Sequence, residues 1–281
     1  MSTKRKFGDR RDGHWVRDVP GLQTIMTHLM HNRTECEVYM NDTFDVTDVL
    51  KFIEKKNLEH PEYKTTLFHC FIYGAAKMIR ERPNMNRFIQ GRRMYQRDDI
   101  SLSFVCKRRY KDEQNIDDIT KKVVGDVIET RKSEHSTGGI DAIVDALAKL
   151  PRFLLAIVVG LIRLIDYWGI SPSFLTDGDP NFTTVFFSNL GSIEGPAIYH
   201  HFNIYGTNSI MVTVGTIHKA ELIMPDGTKQ IRDVVDIGAT LDERIGDGFY
   251  FVRSLKLLKY LFAHPELMEQ PLGEPSGFDY K

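Results

Sequence analysis

The spacing of apolar residues divides the chain into helical and extended segments. In some segments apolar residues recur every three to four positions, which predicts amphipathic helices; in others they alternate with polar residues, which predicts strands. The predicted helices cover 21–31, 46–53, 67–81, 116–134, 140–149 and 249–263. The predicted strands cover 37–44, 100–106, 210–217 and 231–239. The chain therefore contains both kinds of element along its whole length.

The helix at 67–81 is the most strongly apolar of the periodic segments. Thr65 or Thr66 is placed to cap its first turn, and the helix ends before Pro83. His69 lies inside this segment, among residues that the pattern predicts to be buried. We expect it to be a core histidine that satisfies its own hydrogen bonds, not a metal ligand.

The run from 153 to 168 is almost uninterrupted in its apolar character. It is shorter than the roughly 20 apolar residues that a helix needs to cross a bilayer. Arg163 and Asp166 lie near its end, beside Trp168. Three interpretations are open: a buried or subunit-facing helix, a monotopic membrane anchor, or the wall of a site for a long acyl chain.

Composition and charge are those of an ordinary globular protein. The 281 residues are 42% hydrophobic and 27% charged, with a net charge of −1, which argues against a nucleic-acid-binding protein. The three cysteines are far apart and form no CxxC pair, so we expect reduced thiols in a cytoplasmic protein and no metal site. The basic N-terminus lacks the apolar core of a signal peptide.

One stretch concentrates the candidate chemistry. Residues 238–249 place four ionisable side chains in a glycine-punctuated turn between a predicted strand and a predicted helix: Asp242, Glu243, Arg244 and Asp247. A turn of this kind holds side chains on rigid elements and brings the backbone close to a ligand. An ordinary solvated acidic loop is the alternative interpretation.

The turn resembles the active-site signature of the chloramphenicol acetyltransferase superfamily, which includes the catalytic domain of dihydrolipoyl acyltransferases. Asp242, Arg244, Asp247 and Gly248 match the pattern Asp-His-Arg-x-x-Asp-Gly in register. Glu243 stands where this family has its catalytic histidine, and this is the largest departure in the chain. The resemblance covers about 14–110 and 182–270.

Two further segments are similar to the same family. Residues 182–191 resemble its Phe-Thr-x-Ser-Asn-Leu-Gly strand, which implies that Ser188 donates a hydrogen bond to the tetrahedral oxyanion. An early arginine pairs with the signature aspartate in the family, which makes Arg17 the candidate partner of Asp247. A strand-terminating turn serine and a surface arginine are the alternative interpretations of Ser188 and Arg17.

The order of a helix, a proline, a hairpin and a Ser-x-Ser-Phe-Val strand also resembles the family. A second apolar strand is then expected, but residues 107–114 leave almost no room for it. Either the hairpin is truncated or a segment is missing.

The resemblance implies a two-layer α/β fold of the chloramphenicol acetyltransferase-like type, with a mixed β-sheet flanked by helices. One acyltransferase-like domain would span 1–281, with an N-terminal arm at 1–20 and a polar tail at 271–281. The helical insertion at 136–180, whose apolar part lies at about 140–170, departs from the family. A lipoyl or subunit-binding domain is not expected. The family further implies a homotrimer with sites between subunits, with acyl-coenzyme A (CoA) as substrate and an unidentified thiol or hydroxyl acceptor.

Acyl transfer needs a base, an oxyanion donor and a group that orients the base. A free glutamate has a pKa of about 4.3 and a free histidine one of about 6.5, so glutamate is the weaker base at neutral pH. Burial can raise the pKa of a carboxyl group. The base is therefore either Glu243 or a histidine from elsewhere, such as His201 in the pair His200-His201.

Three hypotheses follow. The chain is a CoA-dependent acyltransferase with altered or reduced catalysis, in which Glu243 or His201 is the base. Alternatively, it is a catalytically silent scaffold or partner subunit with the same fold. A third possibility is a membrane-peripheral protein anchored by 151–168. The acyl group and the acceptor are not specified by the sequence.

Overall fold

The computed structural model of the chain describes residues 5–104, 107–132, 145–177 and 179–280. The strands are β1 (Gly13–Trp15), β2 (Glu37–Asp45), β3 (Arg87–Gln90), β4 (Arg93–Arg97), β5 (Ile100–Ser103), β6 (Lys107–Tyr110), β7 (Val185–Asn189), β8 (Ile210–Ile223) and β9 (Lys229–Asp242). The helices are α1 (Gly21–Leu29), α2 (Thr47–Glu59), α3 (Leu67–Glu81), α4 (Ile116–Lys132), α5 (Arg152–Tyr167), α6 (Ser173–Thr176) and α7 (Gly248–Ala263).

A mixed six-stranded sheet forms the centre of the fold. Its strand order is β2-β9-β8-β7-β5-β6. β7 runs parallel to both β5 and β8, whereas the other neighbours are antiparallel. A smaller sheet of β1, β4 and β3 lies beside it. The predicted mixed sheet flanked by helices is confirmed.

Alternation along the strands gives the large sheet two different faces. The inner face carries apolar side chains such as Phe187, Val212 and Ala239, which lie opposite one another in β7, β8 and β9 and pack toward α3 and α7. The outer face carries the residues between them, including Ser188 and Gly238. The candidate site residues on the sheet therefore face away from the helical layer.

Helix α3 is the centre of the apolar core. Its Phe71 ring lies 4.6 Å from that of Phe262 in α7 and 5.7 Å from that of Phe44 in β2. The helix begins with a capping box, in which the backbone N–H of Thr66 donates to Nδ1 of His69 at 3.0 Å. Burial lowers the pKa of His69 to about 4. The predicted core histidine is confirmed.

Helix α5 is exposed along most of its length, although its residues are apolar. The exposed fraction is 67% for Phe153, 56% for Ile157 and 54% for Leu161. Its buried residue is Asp166, which accepts hydrogen bonds from Arg10 at the C-terminal end of the helix. Within one chain, α5 is thus tethered at one end and not buried in a core. In the described residues, no helix combines the length and apolar character needed to cross a membrane.

The C-terminal tail folds back onto α3. The ammonium group of Lys77, which is fully buried, donates to the carbonyl oxygens of Pro271, Leu272 and Glu274. Glu81 accepts hydrogen bonds from the backbone and side chain of Ser276 at 2.7 and 2.8 Å. The predicted polar tail is therefore bound to the body of the domain.

Two sequence expectations concern the segment after β5. A short strand of four residues, Lys107–Tyr110, pairs antiparallel with β5, at the place where a second strand was expected. Residues 133–144 lie outside the described residues, and they include the first half of the predicted helix at 140–149.

Candidate active site

The turn after β9 is braced by a buried ion pair. β9 ends at Asp242, a single 3-10 turn follows at Glu243–Ile245, and α7 begins at Gly248. Arg244 donates to both carboxylate oxygens of Asp242, at 2.8 Å from Nε and 2.6 Å from Nη2, and both side chains are buried. Two parallel hydrogen bonds of this kind fix both groups in one geometry. The turn is therefore held rigidly.

Glu243, one of the two predicted bases, is half-buried beside Cys36. Within the described ranges, its carboxylate makes no hydrogen bond or ion pair. Burial raises the pKa of the Cys36 thiol to about 12; the charge of Arg244 opposes this rise, and the carboxylates of Asp242 and Glu243 add to it. Cys36 therefore stays protonated at neutral pH and is no nucleophile. Glu243 is the first residue of the turn, but in the described residues its carboxylate has no partner that would orient it.

The structure does not bring Arg17 and Asp247 together. Asp247 accepts a hydrogen bond from the backbone N–H of Tyr250 at 2.8 Å and so caps α7. Arg17 donates to the carbonyl of Phe7 at 2.7 Å and lies over the ring of Trp15. Asp247 thus serves as a helix cap in this chain, and Arg17 belongs to a different surface.

Ser188 lies near the end of β7 on the outer face of the sheet. Along the row of paired residues it is opposite Thr213 in β8, then Gly238 in β9 and Asn41 in β2. Three inter-strand spacings and four residues along β2 separate it from Glu37, which is a distance of roughly 20 Å. Within one chain, Ser188 is therefore remote from the turn at 242–247.

The segment from Gly195 to Tyr205 lies over the outer face of the sheet. Glycines in the sheet make this possible: a Cβ on Gly238 would lie 2.6 Å from the carbonyl oxygen of Ile198, and one on Gly215 would lie 2.8 Å from the backbone nitrogen of Ala197. Any larger residue at these two positions would push the segment away. The sheet thereby positions the following residues, His200 and His201.

His201 has the orienting partner that Glu243 lacks. Its Nδ1 lies 2.8 Å from Oε2 of Glu37, and its side chain is 77% exposed whereas that of Glu37 is 1% exposed. The other carboxylate oxygen of Glu37 accepts a hydrogen bond from the backbone N–H of Phe202 at 2.6 Å. Tyr39 also donates to Glu37, at 2.6 Å, and this hydrogen bond raises the pKa of the Tyr39 hydroxyl. The buried carboxylate is thus held by three donors.

This arrangement resembles that of a positioned general base. A carboxylate on one imidazole nitrogen fixes the ring and leaves the other nitrogen free to accept a proton. Glu37 lies directly opposite Asp242 in the β2–β9 pair, so the imidazole lies at the same end of the sheet as the turn. The neighbouring His200 differs, because its Nε2 is buried and has no hydrogen-bond partner in the described residues.

Sequence reasoning named His201 but missed Glu37 and Tyr39. Both lie on the edge strand β2, which is 164 and 162 residues before His201 in the sequence at these two positions. Only the register of β2 against β9 brings them to the segment at 195–205. Across the described part of the chain, no group of three or more histidine, cysteine, aspartate or glutamate side chains is arranged to hold a metal ion.

No family model matches the chain. It is 24% identical over 252 residues to the lipoamide acyltransferase component of the branched-chain alpha-keto acid dehydrogenase complex of Bacillus subtilis (strain 168). The match covers 85% of this chain and 48% of the relative, so the chain spans about half the length of the curated relative that it matches.

Two solved structures have the same fold. The probable dihydrolipoamide acetyltransferase of Listeria monocytogenes 4b F2365 superposes with a TM-score of 0.58 at 15% identity, over 95% of this chain and 98% of that chain. The dihydrolipoamide acetyltransferase (E2p) of Azotobacter vinelandii gives a TM-score of 0.59 at 14% identity, over 91% of this chain and 94% of that chain. In the latter enzyme a serine, a histidine and an asparagine were investigated for their role in catalysis. The chain therefore has the fold of these acetyltransferases.

Proposed function

We propose that this chain transfers acyl groups between a CoA thioester and a thiol or hydroxyl acceptor, with His201 as the general base. The observation that carries the proposal is the contact between the exposed imidazole of His201 and the buried carboxylate of Glu37. The shared fold supports an acyltransferase, and the relative from Bacillus subtilis is itself a lipoamide acyltransferase component. His201 then supplies the imidazole that the signature position, occupied by Glu243, lacks.

In the proposed reaction, Nε2 of His201 takes the proton from the acceptor S–H or O–H group. The acceptor atom then attacks the thioester carbonyl carbon, and the carbonyl oxygen becomes a tetrahedral oxyanion. The hydroxyl of Ser188 donates a hydrogen bond to that oxyanion. When the carbon–sulfur bond breaks, the thiolate of CoA leaves and takes the proton from the imidazolium, which restores the neutral ring.

Because Ser188 and Glu37 are far apart within one chain, a site that uses both Ser188 and His201 would be formed by two subunits. We propose a trimer in which His201 of one protomer and Ser188 of its neighbour face the same substrate. The exposed outer face supports such a contact, because Tyr39, Ile198 and Tyr199 have large exposed apolar surfaces beside His201.

Steady-state assays of CoA release from short acyl-CoA substrates with a dithiol acceptor test the base. His201→Gln is expected to lower kcat by roughly 100-fold or more, in line with the contribution of a general base. Glu243→Gln is expected to retain most of the activity. His218→Gln is the matched control, because His218 is also an exposed histidine near a carboxylate, Asp236, at 3.8 Å. A wild-type protein that binds acyl-CoA without turnover would instead support a silent scaffold.

Subunit complementation tests the shared site. Ser188→Ala and His201→Gln protomers carrying different affinity tags are co-expressed, and mixed assemblies are isolated by two successive tag purifications. Because a mixed trimer contains an interface with both wild-type residues, it is expected to regain activity that neither parent has. If mixed assemblies form but stay inactive, Ser188 and His201 do not share a site between subunits.

A further inference from the structure

Two adjoining clefts of about 240 and 410 Å³ lie beside the turn between β3 and β4. They share four lining residues: Thr27, Gly91, Arg92 and Tyr167. The two clefts lie side by side between α1, the β3–β4 turn and the C-terminal end of α5. We call the pair the arginine groove, because Arg17, Arg92, Arg93 and Arg163 line it. Its size is in the range typical of small-molecule sites.

Arg92 occupies a backbone position that disfavours arginine. Gly91 and Arg92 have φ angles of 57° and 60°, which is the left-handed conformation of a tight hairpin turn. The second of these positions is usually occupied by glycine, because a side chain there is strained. Residues held in such conformations occur often at ligand sites, where the surrounding structure maintains them.

The β3–β4 turn is held by contacts on both sides, so the backbone at Arg92 is fixed in position. On one side, the hydroxyl of Thr27 in α1 donates to the carbonyl of Arg92 at 3.2 Å. On the other side, a Cβ on Gly91 would overlap the carbonyl oxygen of Tyr167 at the end of α5. The arginine therefore projects at the junction of the two clefts.

The positive charge of the groove is largely uncompensated. In the described residues, Arg92 and Arg163 have no acidic partner, and Arg93 and Arg17 each lie 4.5 Å from the ring of Trp15. Two acidic groups are nearby. Asp166 is bound by Arg10 at 3.2 Å, and Asp9, 3.8 Å from Arg17, accepts a hydrogen bond from the backbone N–H of Trp15.

Guanidinium groups bind phosphate oxygens with two parallel hydrogen bonds. The groove presents several such groups on one surface. It also leads toward the candidate active site, because Arg244 of the braced turn and Tyr205 of the segment that carries His201 line its far end.

We infer that the arginine groove binds the phosphate groups of the acyl-carrying substrate, with Arg92 at the centre and Arg163 and Arg93 on its sides. The inference rests on the proposed function in naming a CoA thioester, whose phosphate-bearing end would lie in the groove while its thioester lies at His201. The chemistry recognised is that of a nucleotide with several phosphate groups.

Calorimetric titration with CoA, with adenosine 3′,5′-bisphosphate and with pantetheine tests this site. Arg92→Gly removes the charge and suits the backbone conformation, so the protein is expected to stay folded. We expect the Kd for CoA and for the bisphosphate to rise by roughly 10-fold or more, as for the loss of a bidentate phosphate contact. Arg92→Lys should restore part of the affinity, and pantetheine, which has no phosphate, should be insensitive.

Two arginines of α5 provide a matched pair. Arg163 lines the groove, whereas Arg152 is exposed on the same helix outside it. Arg163→Gln is expected to weaken CoA binding several-fold, and Arg152→Gln is expected to leave it unchanged. If wild type binds CoA but Arg92→Gly and Arg163→Gln leave its Kd unaltered, the groove assignment is wrong although the proposed function survives. If the bisphosphate binds in an Arg92-dependent way without any acyl transfer, the groove stands and the proposed function fails.

Discussion

Glu37 holds the imidazole of His201 in place across 164 residues of sequence, with 2.8 Å between Oε2 and Nδ1. The carboxylate is buried and the ring is exposed, so the fixed partner lies inside the protein and the free nitrogen faces outward. A base that meets its substrate at the surface between two chains needs this arrangement, because its free nitrogen must face outward.

Replacing Glu37 with glutamine is expected to lower kcat by roughly 10- to 100-fold, as for the loss of a group that orients a reactive imidazole. The amide oxygen of glutamine can still accept the hydrogen bond from Phe202, so the segment should stay in place. KM and the Kd for CoA are expected to change little, and both are measured with the melting temperature. Glu221→Gln, at an exposed position of β8, is the control. Equal activity in both variants would show that Glu37 does not position the base.

The stability of the protein is expected to fall between pH 7 and pH 4 because of His69. Burial lowers the pKa of His69 to about 4, whereas an unfolded histidine titrates at about 6.5, so the unfolded state binds the proton first. The contribution of His69 to the free energy of unfolding is thus fully present above pH 6.5 and is lost as the pH falls toward 4. Its size is on the order of 3 kcal/mol. Urea unfolding as a function of pH measures it.

His69→Gln removes this titration and isolates the contribution of His69. The variant should be less stable than wild type at pH 7 but should show a flatter dependence on pH. His264→Gln, which removes an exposed histidine, should keep the wild-type slope. A slope that is the same in all three proteins would contradict the assignment to His69.

Gly91→Ala is expected to destabilise the protein more than Gly227→Ala does. Both glycines have a positive φ, of 57° and 82°, so each substitution strains the backbone by about 1 kcal/mol. At Gly227 a Cβ meets open space, whereas at Gly91 it overlaps the carbonyl oxygen of Tyr167. We therefore expect a further loss of roughly 1–3 kcal/mol at Gly91. Denaturant unfolding of the two variants compares them, and equal losses would exclude the contact with α5.

Charged substitutions on α5 are expected to leave the fold intact and to reduce self-association. Ile157 and Leu161 are exposed in the single chain, so replacing both with glutamate should change the unfolding free energy by no more than about 1 kcal/mol. Exposed apolar surface of this extent is typical of an interaction site. Light scattering after size-exclusion chromatography measures the assembly, and vesicle flotation of both proteins shows whether a lipid surface is the partner instead.

The sequence predicted the periodic elements well where local signals agreed. For α3, the apolar spacing, the threonine cap and the proline after the helix all point to the same boundaries, and the structure has them at Leu67–Glu81. The acyltransferase fold was predicted from the resemblance of the signature and of the Ser-Asn strand end to that family, and the structure places these two motifs at the ends of β9 and β7.

Other features depended on contacts that local sequence does not encode. An apolar run such as α5 predicts burial, but only the packed structure shows that its surface stays exposed. The sequence alone could not choose between His201 and Glu243 as the candidate base, because only the register of β2 against β9 brings Glu37 to His201. Arg17 was matched to Asp247 by resemblance, whereas in the structure it stacks on Trp15.

The tail that folds back on α3 has a practical consequence for dissecting the protein. Truncating the chain after Gln270 would remove the three carbonyl oxygens that accept hydrogen bonds from Lys77. The ammonium group would remain in the core, and a buried charge without partners destabilises the folded state. Residues 271–280 therefore stabilise the fold, and a C-terminal fusion partner or purification tag should be attached after them.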